Sequence, residues 1–326
     1  MNHLSVMRRR GVSVVSAVIA TVSALPSVSH ACSSCGCTLN SDWSNQGYTV
    51  ASGLRLDLRG DYYDQDQLRE GRGSADRASI AIPNDEEIQQ RTLNRTTILG
   101  VDYSPSRVWG VRAELPNFDR FHTTTADGET ELSTSHAKGI GDLRLTVRYQ
   151  GFSADLSWGM QFGLKLPTGS FDDVFIAGSI RGERVDRGLQ AGSGTTDLIA
   201  GIYTFGNLNS QLGYFAQAML QQPLNSREEF KPGAGLNLTV GLRYLHAGRW
   251  TPQLQLNARI EGRESGAQAD RDNSGATLIY ASPGLSVALT DKLQSYAFLQ
   301  LPIYQRVNGL QLEPTKFFTL GMQYKF

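Results

Sequence analysis

Lys316-Phe317-Phe318-Thr319-Leu320-Gly321-Met322-Gln323-Tyr324-Lys325-Phe326 is the stretch that decides the fold. Phe318, Leu320, Met322, Tyr324 and Phe326 fall on one face of an extended strand, and Thr319, Gly321, Gln323 and Lys325 fall on the other. Alternation is the strand period, because successive side chains point to opposite faces. A soluble sheet also alternates, but chain ends usually fray, and it rarely puts its most aromatic strand there. A closed barrel in lipid needs such a strand, since the last strand must pair with the first to leave no open edge.

Working back from that strand, one unit repeats down to Ser52: an alternating segment of about ten residues, then a tight turn or a long polar loop. Leu54, Leu56, Leu58 and Tyr62 alternate with Arg55, Asp57, Arg59 and Asp61; Leu143, Leu145, Val147 and Tyr149 alternate with Asp142, Arg144, Thr146 and Arg148. Leu236 to Tyr244 carries Arg243 on its polar face, and Leu254 to Ile260 carries Arg259 on its polar face. A strand starting at Trp109 has Arg112 and Glu114 on its polar face. Further strands are expected near 97–103, 155–166, 196–205, 212–220, 276–289 and 293–304, with Pro283 marking a bulge or kink. Short connections fall at Ser104, Gly151, Gly206, Ala247 and Thr290, and long ones at about 64–95, 122–138, 168–194, 223–232, 261–275 and 305–313. The count is twelve strands, and the fold class is all-β: a transmembrane antiparallel up-and-down β-barrel. Tyr62, Tyr103, Trp109, Tyr149, Tyr244 and Trp250 sit near strand ends, where aromatic rings belong at a lipid–water boundary. A soluble β-sandwich is the competing fold.

The start of the chain has its own logic. Arg8, Arg9 and Arg10 precede an apolar run from Gly11 to Leu25, then Pro26 and the small-residue site Ser29-His30-Ala31. Residues 1–31 therefore read as a cleaved secretory signal peptide. A membrane anchor fits less well, because a spanning helix wants roughly 20 apolar residues and this run is short and rich in serine. Residues 32–51 form a cysteine-containing periplasmic segment, of which 38–51 are placed to plug the periplasmic mouth though nothing in their sequence compels it, and 52–326 form the barrel, with both termini periplasmic. Lysine plus arginine number 31 and aspartate plus glutamate 31, so bulk electrostatics offer no case for nucleic acid.

The polar faces place Arg55, Asp57, Arg59, Asp61, Arg112, Glu114, Asp142, Arg144, Arg148, Arg243 and Arg259 in a mixed-charge lumen, expected to be narrow and weakly anion-preferring. The partners this implies are outer-membrane lipid, the barrel-assembly machinery during insertion, and a small-molecule solute. Asp142 and Asp197 follow glycines at strand starts and read either as loop ties or as members of a constriction ring.

Three segments go beyond a generic barrel pattern: Gly141-Asp142-Leu143 running to Arg148-Tyr149, Gly163-Leu164-Lys165-Leu166-Pro167-Thr168-Gly169, and Gly192-Ser193-Gly194-Thr195-Thr196-Asp197. In this order and spacing they resemble the outer-membrane "transporter" family named after the meta-pathway of phenol degradation. The likeness is best over about 139–205, and the terminal Phe326 with its alternating apolar residues resembles the insertion signal of outer-membrane barrels. The resemblance implies a barrel that admits small molecules, including aromatic or otherwise hydrophobic compounds.

Cys32, Cys35 and Cys37 are the only cysteines. Three readings stand open: a Cys32–Cys35 disulfide in the periplasm, thiolate binding of a soft metal such as copper(I) or zinc, and acylation of Cys32. Haem attachment in its usual form is excluded, because Cys35 is followed by Gly36. No cofactor is otherwise called for. A metal- or redox-linked barrel working with a periplasmic partner is therefore the alternative to a pore. A barrel hydrolase is the third reading, and the chain is read as not an enzyme: downstream of residue 31 it holds only His122, His136 and His246, the first two expected in one polar loop.

Overall fold

In a computed structural model the described residues are Gln46, 52–246 and 248–326. The leader and the three cysteines lie outside them, as do the readings attached to them. The strands are β1 (Gly53–Glu70), β2 (Gly73–Ser74), β3 (Ile88–Ser104), β4 (Trp109–Thr125), β5 (Leu132–Ile140), β6 (Leu143–Tyr149), β7 (Trp158–Leu166), β8 (Phe175–Ala177), β9 (Asp197–Asn207), β10 (Leu212–Pro223), β11 (Gly235–Tyr244), β12 (Trp250–Glu261), β13 (Ala276–Ala288), β14 (Leu293–Val307) and β15 (Leu310–Lys325). Leaving aside the short β2 and β8, and β5, which continues the line of β6 along β4, the other twelve pair antiparallel with their neighbours in a ring. The ring closes where β1 meets β15, in the register Arg55 to Lys325, Leu58 to Met322 and Tyr62 to Phe318. This is the closure that the terminal strand demands.

The two faces separate as the alternation requires. Leu58 is 54 %, Leu99 47 % and Met322 49 % exposed on the outside, while Arg55, Asp57, Arg112 and Arg148 are buried inside. A continuous apolar exterior of this extent is unstable in water and matched to lipid. At the end of the barrel that carries the short turns, Trp109, Tyr149, Phe152 and Trp158 form one run of rings, with successive centroids 4.7, 4.8 and 4.3 Å apart. Such rings suit the interface, being apolar in body and polar at the edge.

The inner face is not purely polar. Four glycines lie beneath inward aromatic rings of adjacent strands, and a Cβ at Gly241, Gly284, Gly321 or Gly159 would meet Phe215, Phe298, Tyr296 or Tyr203 at 2.1–2.4 Å. The ring fills the space that the glycine leaves, a small–large pairing that packs part of the lumen solid. It also settles the segment whose two faces both looked apolar: Ile199, Tyr203 and Phe205 of β9 point in, and Leu198 and Ile202 point out.

Several expected loops are strand. β1 runs to Glu70 and β3 begins at Ile88, so the first polar connection is shorter than 64–95. The expected loop 305–313 is a tight hairpin between β14 and β15. His122 and His136 sit on β4 and β5, not in a common loop: His122 is buried and its Nδ1 lies 2.8 Å from Thr92 Oγ1, and His136 Nε2 lies 2.7 Å from Asp119. In each case polar side chains continue the ladder beyond the length a bilayer needs, about 9–11 residues; β1, β3 and β4 have 18, 17 and 17 residues, against 7 and 9 in β6 and β7. The register slip of β13 falls between Ile279 and Tyr280, a few residues before Pro283.

Leu99 pairs with Leu58 and Leu115 midway along the wall. Placing a guanidinium there, Leu99→Arg, should cost about 2–4 kcal/mol in urea unfolding from vesicles, the penalty of a charge at the bilayer midplane. A loss below about 0.5 kcal/mol, typical of a harmless surface change, would contradict a lipid-facing wall.

Candidate functional site

The lumen is organised in storeys, each built from inward residues at every second position. Nearest the short turns, Arg55 and Arg148 converge on Asp102: Arg55 makes an ion pair with it and donates to Ser104 Oγ at 2.8 Å, and Arg148 lies 3.3 Å from Asp102 and 3.0 Å from Ser104 Oγ. Both arginines were expected inside; the carboxylate they share was not. Arg243, elsewhere on the wall, donates to the backbone carbonyl of Gln46, a buried residue of the N-terminal segment. That segment therefore reaches the barrel interior at Gln46.

The middle storey repeats one local motif, an arginine with a carboxylate two residues later on the same inward face. Arg59–Asp61 on β1 spans 3.1 Å, Arg112–Glu114 on β4 3.0 Å and Arg259–Glu261 on β12 3.0 Å. The two-residue strand repeat brings such pairs together without any tertiary requirement. Asp57 is held between Arg112 at 3.8 Å and the Tyr296 hydroxyl, which donates to it at 3.1 Å. Arg144 extends inward from β6 and donates to Gln221 Oε1 at 3.1 Å.

Above it lies a knot that joins the three motif segments. β5 and β6 run end to end along β4, and the break between them at Gly141-Asp142 frees the Asp142 carboxylate from the ladder. It accepts from Lys165 Nζ at 2.9 Å, Gly169 N at 3.1 Å, Ser193 N at 3.0 Å and Ser193 Oγ at 2.7 Å. Lys165 also lies 3.2 Å from Asp197, which accepts from Thr195 Oγ1 at 2.8 Å and Gln221 Nε2 at 2.6 Å. Gly141, Gly169 and Gly192 meet backbone to backbone here; a Cβ on Gly169 would stand 2.7 Å from Gly192 Cα and 2.9 Å from Gly141 Cα. Glycine is required because side chains would force the three segments apart. Asp142 and Asp197 thus act as loop ties around one lysine. The signal available in the sequence is the glycine shortly before each aspartate, Gly141 before Asp142 and Gly194 three residues before Asp197; the partner it does not reveal is Lys165.

The tie has a consequence for residues 168–194. The segment's middle, β8, pairs with β5 in the wall, and its last part turns into the lumen, where Arg187, Gly188, Gln190 and Ser193 line a cavity of about 380 Å³ together with Arg59, Asp61, Arg112, Glu114, Asp142, Arg144 and Arg259. Seven of the expected lumen residues therefore meet in one space, whereas Asp57, Arg55, Arg148 and Arg243 lie outside its lining. Arg120, Lys165, Asp197, Glu261 and Glu264 also line it, as do Tyr63, Phe118, Phe230 and Phe317. Phe118 and Phe317 break the polar-in pattern: Phe118 stands between the outward polar Asn117 and Asp119, and Phe317 stands beside the outward Phe318.

At the loop end, Asp186 caps the turn at Arg187–Leu189 by accepting from Gly188 N. Burial, then the neighbouring Glu264, Glu87 and Asp270, push its carboxyl well above the usual range, so it favours the protonated form. Among the described residues no group of three or more His, Cys, Asp or Glu side chains is arranged to hold a metal ion.

Fold and lumen together define an outer-membrane type of transmembrane β-barrel with a charged, partly filled interior. An outer-membrane channel from Pseudomonas putida F1 is similar over 85 % of this chain and 96 % of its own, with TM-score 0.63 and 13 % identity. The CymD monoaromatic hydrocarbon channel (92 % and 98 % covered, 10 % identity) and the toluene transporter TbuX of Ralstonia pickettii (92 % and 97 %, 10 %) align with TM-scores of 0.46 each. No protein-family model matches the chain, and no curated protein sequence does.

Lys165→Met would leave Asp142 and Asp197 facing each other without their cation. Removing one partner of a buried pair costs about 3–5 kcal/mol; cleavage within 168–194 by added protease should accelerate, and an unchanged rate would contradict the tie. The pH dependence has a definite sign. A carboxyl raised in the folded protein adds stability at low pH and loses it as pH rises above the ordinary range near 4. Hydrogen-exchange protection of 187–193 should therefore fall from pH 5 to 9, and Asp186→Asn should flatten the fall; protection that increases with pH would contradict the assignment.

Proposed function

We propose that the chain is an outer-membrane pore or facilitator for small solutes, inserted with both termini and the short turns in the periplasm, after removal of residues 1–31. The observation that carries this reading is the cavity of about 380 Å³ inside a lipid-compatible wall, lined by charged side chains from strands around the ring. The likeness to a solved channel supports the fold on which the reading stands. A wall apolar outside and ionised inside has a purpose if water and solute occupy the interior. Twelve strands enclose more than the eight that side chains alone can fill, so the width rests on the lining. The three motif segments, converging on Lys165, support grouping the chain with the meta-pathway barrels.

The lining sets the selectivity. Arg59, Arg112, Arg120, Arg144, Lys165, Arg187 and Arg259 face Asp61, Glu114, Asp142, Asp197, Glu261 and Glu264, one cation in excess. Focusing of that excess in a narrow, low-dielectric passage favours anions weakly. In planar bilayers under a potassium chloride gradient, the reversal potential should show chloride preferred about twofold, and Arg144→Gln should move it toward zero selectivity. A marked potassium preference in the wild type would refute the sign, and the absence of any conductance, with no gain of solute uptake in a porin-deficient strain, would refute the pore.

A further inference from the structure

Three arginines of the cavity stand outside the arginine–carboxylate motif; Arg187 lies 3.6 Å from Glu228, and Arg120 and Arg144 have neutral partners instead. Arg144 donates to the neutral Gln221 Oε1 at 3.1 Å. Arg120, on β4, donates through Nε to Asn94 Oδ1 at 2.6 Å and through Nη1 to the carbonyl of Gly188 at 3.2 Å. Among the described residues neither guanidinium has a carboxylate at ion-pair distance; Glu114, opposite Arg144 in the ladder, is taken by Arg112 at 3.0 Å. Neutral acceptors fix each guanidinium in place without cancelling its charge, and each keeps nitrogens that no described residue engages. A fixed guanidinium with open N–H donors and no carboxylate bonded to it, in a confined space, is a station for an anion, and its planar fork suits a carboxylate.

What lies between the two arginines narrows the anion further. The inward side chains of β4 run Glu114, Pro116, Phe118, Arg120 from the turn end outward. Six residues separate the level of Arg144 from Arg120, about 20 Å of strand, with the apolar pair in the middle. The Arg120 guanidinium lies 5.4 Å from the Phe118 ring centroid, and Tyr63 and Phe317, stacked at 4.5 Å, line the same cavity. Inorganic anions gain nothing from an apolar band, and neutral hydrocarbons gain nothing from open guanidinium groups. A single-ring carboxylate uses both.

We propose that the lumen holds two carboxylate stations, Arg120 on the loop side and Arg144 on the turn side. Joined by the Pro116–Phe118 band, they select small aromatic monocarboxylates. The stations rest on the cavity alone; that a solute passes from one to the other rests on the pore reading above.

The test uses benzoate, acetate and benzyl alcohol as probes on the full chain purified in detergent, with affinities taken from saturation-transfer NMR titrations. Benzoate should bind at least about tenfold more tightly than either acetate, which lacks the ring, or benzyl alcohol, which lacks the charge. Arg120→Gln and Arg144→Gln should each weaken benzoate about tenfold, Arg144→Lys should recover only part of the loss because lysine keeps the charge and lacks the fork, and Phe118→Leu should weaken benzoate but not acetate. Heat-modifiable mobility on gels certifies that each variant is a folded barrel; if both glutamine variants fail to fold, the ranking of the three probes on the wild type still decides. Equal affinity for benzoate and acetate, or benzoate binding unmoved by both glutamine variants, overturns the proposal. Bilayer current measured on the same preparation separates the two readings. Benzoate binding without chloride conductance keeps the stations and removes the pore, and conductance without benzoate preference does the reverse.

Discussion

The whole structure depends on the ladder between β1 and β15. Inside a bilayer no water is available for backbone N–H and C=O groups, so every strand must have two neighbours. The register from Arg55–Lys325 to Tyr62–Phe318 supplies the last one. Because the side-chain period is two, that register also fixes which face every residue takes: a slip by one would turn Arg55, Asp57 and Arg59 toward lipid and Leu56 and Leu58 inward. Closure and the inside–outside sorting are thus one constraint.

Once the ring is closed, its interior must be filled or wetted, and the chain does both. Aromatic rings over glycines pack part of it; arginine–carboxylate pairs two residues apart keep charge in the remainder without long-range help. The less local arrangement is the knot around Lys165, where the break between β5 and β6, the end of β7 and the approach to β9 share two carboxylates. It brings residues 187–193 into the lumen and so decides how much space is left. Loop-end carboxylates around Asp186 then make the same loop sensitive to protonation.

Fold class, strand number and the face of each predicted arginine were legible because they follow from period two, which needs no knowledge of neighbours. The ends of strands were not legible. Beyond the lipid, polar residues on both faces look like loop, as they do around His122 and at the hairpin at 308–309, although both stretches are strand up to the turn. The role of Lys165, though it stands in one of the three motif segments, and that of Arg120 were not legible either. Lys165 sits in a clean alternation but has partners 23 and 32 residues away, and Arg120 follows Pro116 and Phe118, an inward apolar pair that breaks the polar-in rule. Asp142 and Asp197 were visible as candidates, and only the folded chain shows that they serve the same lysine.

The central claim is that lipid covers one face of these strands and the lumen the other. Nitroxide labels placed singly at 318–323 of β15 in reconstituted vesicles test it most directly, through collision with oxygen in the bilayer and with a water-soluble nickel chelate. The account predicts high oxygen accessibility at positions 318, 320 and 322, and low oxygen accessibility at 319, 321 and 323. Uniform accessibility along the strand, or nickel exceeding oxygen at 318, 320 and 322, would contradict it.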